Sequence, residues 1–168
     1  DHCRIISMED GGDVVSVFTR FCALSNAIKG SAEKNGTALM WNETLGFLGT
    51  CPSNLGTGLR ASVMVKLPCF NKFLEDPKAS KEEKELLETV CNKYDLQPRG
   101  SAGEHSAAVG AKFDISNKQR LGLSEVQLVQ KMIDGVTKVI KLEKKLAAGN
   151  SASEVIQSME NADNFAKP

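Results

Sequence analysis

The stretch from Ser124 to about Ala147 constrains this chain most. Val129, Met132, Ile133, Val136, Val139, Ile140 and Leu146 recur at helical spacing, with charged and polar residues between them. A helix with so long an apolar stripe needs an equally long apolar surface to cover it. Ser124 can cap its start, Lys144 and Lys145 suit its C-terminal dipole, and Gly149 ends it. Segments of a different period can supply the cover. Leu59–Leu67 alternates as a strand does, and Asp95–Arg99 and Ala111–Ser116 also read as strands.

The rest of the chain fits around that frame. Asp13 is placed to cap a first helix whose stripe is Val14, Val17, Phe18, Phe21, Leu24, Ser25 and Ile28, with Gly30 ending it. Ser80 and Glu83 predict a capping box for a charged helix over 81–93, with Leu86, Leu87, Val90 and Cys91 turned inward. Cys3–Met8 reads as a strand already under way, Pro68 as a strand stop, Glu75–Ser80 as a surface turn and Trp41 as a packing residue. Ser151–Pro168 reads as a short helix and a polar tail. Strands joined by helices give an α+β fold, a mixed or antiparallel sheet flanked by α-helices. At 168 residues, one domain is expected.

Charge narrows the function. Lys and Arg number 21, as do Asp and Glu, so the net charge is zero. A nucleic-acid or anionic-membrane binder would carry a basic excess, and any anion site must therefore be local. No apolar run is long enough to span a bilayer. Five cysteines without a C-x-x-C pair, and only two histidines, argue for reduced thiols and against a zinc site.

The local candidate is Cys51-Pro52-Ser53-Asn54-Leu55-Gly56-Thr57-Gly58-Leu59-Arg60, lying between the apolar run Leu45–Gly49 and the strand that follows. Pro52 and the glycines permit turns that other residues resist, so backbone N–H groups and a guanidinium can converge on an anion. Read by spacing alone, the stretch fits an ordinary polar turn with a buried free cysteine better, since it matches no general phosphate-loop template. Arg4, Arg60 and Arg99 each sit in or beside a candidate strand and suit bidentate phosphate binding, though surface ion pairing explains them too. Gly100–Gly110 is small and polar enough to be a lid.

Cys51-Pro-Ser-Asn-Leu-Gly-Thr57 closely resembles the signature of the phosphagen (guanidino) kinases. Asp1–Met8, Leu96-Gln-Pro-Arg-Gly100, Gly103-Glu-His105 and Phe113-Asp-Ile-Ser-Asn117 follow in that family's order and near its spacing. The resemblance runs from Asp1 to about Leu146, with an insertion-like patch at Glu75–Ser80. It implies a glutamine-synthetase-like guanidino kinase fold, an antiparallel sheet flanked by helices. Residues 1–147 would be the C-terminal part of the catalytic domain and 148–168 a tail. A preceding N-terminal part would carry further arginines and a substrate-binding glutamate.

The implied activity is reversible transfer of the ATP γ-phosphoryl group to a guanidine. By resemblance, Arg4, Arg60 and Arg99 match ATP-phosphate ligands, and Arg120 and Asp114 lie near the nucleotide. Mg²⁺ would be held through phosphates and water, with no protein cage. Cys51 matches the family's reactive cysteine, a thiolate that aligns the substrate, and Glu104 matches the loop glutamate that closes on the guanidinium. Met64 stands where many members carry a histidine near the adenine.

Glu104 favours L-arginine as acceptor. Met40-Trp-Asn42 and Gly56-Thr-Gly58 look more like creatine kinase, which keeps creatine, lombricine, taurocyamine and glycocyamine as alternatives. A non-catalytic nucleotide-binding or oligomerising fragment is the other alternative. A homodimer, a cytoplasmic or mitochondrial location, and no nucleic-acid or membrane partner complete the expectations.

Overall fold

The computed structural model describes residues 3–100 and 108–164, the last five of these as helical backbone only. Where the sequence reads as one domain, contacts separate two compact units, residues 1–59 with 120–123 and residues 60–119 with 124–168.

The first unit begins with Cys3–Met8, which forms no strand, because no ladder joins it to another segment among the described residues. Helix α1 (Val14–Lys34) starts as expected, with the Asp13 carboxylate accepting the Ser16 N–H at 2.9 Å. It runs through Gly30, since one glycine costs about 1 kcal/mol in a helix and does not stop it. The rings of Phe18 and Phe21 stack at 6.1 Å on its apolar stripe, yet no residue of α1 is fully buried. Arg20 forms an exposed ion pair with Glu9. Strands β1 (Trp41–Asn42) and β2 (Gly46–Phe47) make a short antiparallel hairpin. Its turn is held by Asn42 Oδ1, which accepts the N–H groups of Thr44 and Leu45. Trp41 does not pack inward as expected and is 56% exposed.

The second unit holds β3 (Ser62–Lys66), α2 (Pro68–Glu75), α3 (Lys81–Lys84), α4 (Leu86–Lys93), β4 (Leu96–Gly100), β5 (Lys112–Asn117), α5 (Glu125–Ala147) and α6 (Ala152–Asn164). The three strands form an antiparallel sheet in the order β3-β5-β4. One face is apolar and packs beneath α4 and α5, with Leu96, Phe113 and Ile115 buried against Leu86, Val90, Leu128, Met132, Val136 and Val139. The expected Ser80–Glu83 capping box forms, and Gln127 completes the Ser124 cap into another. Gly135 lets α5 approach the sheet: a Cβ there would lie 2.6 Å from Leu96 Cδ1.

Several details differ from the periodic reading. The expected helix over 81–93 breaks at Glu85 into α3 and α4. Ile133 and Ile140 are half-buried; Leu128, Gly135 and Leu142 complete the buried face instead. Pro68 does end β3, but it also opens α2, because proline is tolerated in a first helical turn. The N–H groups of Cys69 and Phe70 at that end donate to the two oxygens of Glu143, at 2.7 and 3.2 Å. Helix α6 is held by Ala152, Val155 and Met159, all buried. Burial in the core, reinforced by Glu88, pushes the Cys91 thiol up to about 12.

Glu143 thus caps a helix far from it in sequence. Glu143→Ala leaves two donors of α2 without an acceptor and is expected to destabilise the second unit by about 2–3 kcal/mol. Urea unfolding of the two proteins measures this, and unchanged midpoints and slopes would show that water replaces the carboxylate at no cost.

Candidate functional site

Side chains alternate across the sheet, so the register sorts them into two sets. Val63, Val65, Phe113, Ile115, Leu96 and Pro98 belong to the core face. The other face carries Ser62, Met64 and Lys66 from β3, Lys112, Asp114 and Ser116 from β5, and Gln97 and Arg99 from β4. Asp114 stands in the middle of this face, opposite Met64 on one side and Arg99 on the other. Arg60, just before β3, reaches it through an ion pair, Nη2 to Oδ2, at 2.5 Å. Arg99 Nη2 donates to Gln97 Oε1 at 3.3 Å. Cations outnumber carboxylates on this face, although the whole chain is neutral.

Three polar atoms here are buried without a hydrogen-bond partner: Arg60 Nε, Asp114 Oδ1 and Ser116 Oγ. Buried polar groups are nearly always matched, and an unmatched one costs about 1–3 kcal/mol. Arg60 Nε and the Ser116 hydroxyl can donate to an anionic ligand beside the two guanidinium groups, whereas Asp114 Oδ1 asks for a donor such as a ligand hydroxyl or amine. Met64, 55% exposed on the same face, offers an apolar surface. The structure therefore brings Arg60, Arg99, Asp114 and Met64 together, as an alternating reading of these strands implies. Ser116 and Gln97 were not singled out in the sequence, though the same alternation puts them beside Asp114.

Arg4, Cys51 and Arg120 belong to the other unit. Arg4 is exposed. Cys51 is exposed too, its Sγ 3.0 Å from Ser53 Oγ, and it leads into a single 3₁₀ turn over Pro52–Asn54. The next residues are packed backbone against backbone. Gly56 donates to Leu45 O and accepts from Phe47 N, both at 2.7 Å, bridging it to Gly46 of β2. Thr57 N and Oγ1 both donate to the Arg120 carbonyl, at 3.0 and 3.3 Å, and Arg120 Nη1 donates to Ser53 O at 3.1 Å. Arg120 thus clasps the loop with its main chain and its guanidinium together.

Gly56 has a φ of +97°, and a Cβ on it would run into the Arg120 carbonyl. One on Gly46 would run into the Gly56 carbonyl. The run Leu45–Gly49 contributes only the two residues of β2, in a different sheet from β3, so the loop does not join neighbouring strands. Glu104 lies outside the described residues. Among the described residues no group of three or more His, Cys, Asp and Glu side chains could hold a metal ion, and no helix is long and apolar enough to cross a membrane.

Residues 1–146 match the family described as ATP:guanido phosphotransferase, C-terminal catalytic domain. The chain is 47% identical over 156 residues to the testis isozyme of creatine kinase from Oncorhynchus mykiss, covering 93% of this chain and 38% of that protein. It is 48% identical to the M-type creatine kinase of Rattus norvegicus with the same coverage, so it spans well under half the length of these relatives. Among solved structures, lombricine kinase superposes with a TM-score of 0.73 at 47% identity, over 88% of this chain and 38% of that one. The duplicated taurocyamine kinase from Schistosoma mansoni, with bound transition state analog components, gives 0.67 at 39% identity, over 82% and 17%.

The close backbone approach makes a sharp test of the loop. Gly56→Ala is expected to abolish amide-exchange protection at Phe47 and Thr57. Gly58→Ala, whose Cβ would meet only Asn54 O at 3.8 Å, is expected to cost about 1 kcal/mol of backbone strain and leave that protection in place. Equal loss in both variants would assign the effect to φ alone.

Proposed function

Because this chain belongs to the ATP:guanido phosphotransferase family, we propose that it contributes the nucleotide-binding face of an enzyme that moves the γ-phosphoryl group between MgATP and a guanidine. The observation that carries this is the cluster of Arg60, Arg99 and Asp114 on one sheet face, with polar atoms left for a ligand to satisfy. Phosphoryl transfer asks little covalent help from a protein and much positioning and charge neutralisation. Arg60 and Arg99 take phosphate oxygens, and the fork of each guanidinium makes the contact directional. Asp114 holds Arg60 in orientation. Met64 packs on the base. Arg4 and Arg120 are proposed as phosphate ligands too. Mg²⁺ is carried in by the phosphates.

Glu104 pairs with the guanidinium of the acceptor, and Cys51, as a thiolate, aligns it electrostatically without a covalent intermediate. The Glu104 carboxylate taken alone favours L-arginine. The similarity to kinases named for creatine, lombricine and taurocyamine favours an acceptor of that group instead, and we adopt it.

The experiment is a substrate panel on the intact protein with MgATP and creatine, lombricine, taurocyamine, glycocyamine and L-arginine. One of the first three is expected to give the highest kcat/KM. L-Arginine as the best acceptor would return the assignment to Glu104, and no turnover with any guanidine would remove the activity. In the same assay Arg60→Ala is expected to lose on the order of 10²–10³ in kcat, the size of one lost transition-state donor, with Arg60→Lys recovering little. Full activity of Arg60→Ala would take Arg60 out of the site.

A further inference from the structure

We propose that Asn117 is a positioning residue for Arg60, an inference that rests on the nucleotide-binding reading above. Asn117 ends β5 on its core face and is 1% exposed. Its Oδ1 accepts the Ala61 N–H at 2.8 Å, and its Nδ2 donates to the Gln119 carbonyl at 2.7 Å. Its own N–H donates to Ala61 O at 3.3 Å. Ala61 and Asn117 are the rung just beyond the last ladder pair, Ser62 with Ser116. That rung is stretched in the main chain, and the side chain supplies a second, shorter bond across it.

The Ala61 N–H belongs to the peptide plane directly after Arg60. Holding that plane anchors the carbonyl side of the Arg60 Cα and so narrows the directions in which its side chain can leave the backbone. Strand β5 therefore fixes Arg60 at both ends, the backbone through Asn117 and the guanidinium through Asp114. Asparagine is suited to the task because one short, planar group offers an acceptor and a donor. Aspartate would keep the acceptor but oppose the Gln119 carbonyl. Serine is too short to reach both partners.

Misplacing a group that orients a reacting phosphate by about 1 Å can cost about a hundredfold in rate, so even a partial shift should be measurable. The test uses the intact protein and reads kcat, KM for MgATP and KM for the acceptor. It also reads the NMR signal of the Arg60 Nε–H. Asn117→Ser is expected to lower kcat/KM for MgATP by about tenfold or more, to leave the acceptor KM within about twofold, and to move the Arg60 signal. Asn117→Asp, which keeps the Ala61 bond, is expected to lose less.

In an Arg60→Ala background the same Asn117→Ser change should have no further effect on nucleotide kinetics. Glu143→Ala, which loosens the same unit away from this face, should leave the Arg60 signal unmoved. An unmoved signal in Asn117→Ser, an equal loss in the Arg60→Ala background, or failure of both Asn117 variants to fold would each overturn the proposal. If the wild type itself neither binds MgADP nor turns over, the nucleotide reading falls, and the Arg60 signal alone still decides whether Asn117 positions Arg60.

Discussion

Strand β5 has a hydrogen-bonded neighbour on each side, and its pleat divides the second unit in two. Phe113 and Ile115 commit one face to the core, so Asp114 and Ser116 are committed to the other. A slip of one residue would bury the carboxylate and expose the aromatic ring, which the core does not allow. The energy that fixes the candidate site is therefore hydrophobic and lies on the opposite side of the sheet. Arg60 then takes its place by pairing with a carboxylate that has no freedom to move away.

The periodic elements were legible because their information is local. The stripe from Val129 to Leu146, the inward face at Leu86, Leu87, Val90 and Cys91, the Ser80–Glu83 capping box and the Ser124 cap are visible within a turn or two of helix. What could not be read depends on residues far apart. Helix α2 has its N-terminal donors satisfied by Glu143, whose capping role no local window reveals. The signature motif marked Arg60 and the family resemblance marked Asp114, yet only the folded chain shows that the two side chains meet. Asn117 was part of a quoted motif without a role of its own, since its two bonds join segments the sequence keeps apart. The opening strand failed for the converse reason: residue type can suggest a strand, but only a partner makes one.

The two units use different means to hold a shape. The second has a side-chain core built from the sheet and four of its helices. In the first, Leu59 is the single buried apolar residue among those described, and the loop from Cys51 is set mainly by main-chain contacts among Leu45, Phe47, Gly56 and Arg120. Shape made in this way needs glycine at the points of closest approach and a few polar side chains, Thr57 and Arg120, to close it, with little call for buried apolar groups. Cys51 and Ser53 can therefore be presented outward, in fixed relation to each other, without a core beneath them.

Cys91 gives the second unit an internal clock. Its sulfur is buried in the core, and with the thiol pushed up to about 12 it carries almost no thiolate at neutral pH. A reagent in solution can reach it only when the unit opens, and in that open state the thiol regains ordinary reactivity. The rate at which Cys91 becomes labelled therefore counts excursions of the core, while the exposed sulfurs of Cys3 and Cys51 are consumed without any such excursion. A single labelling time course on this chain thus separates surface chemistry from the breathing of its interior.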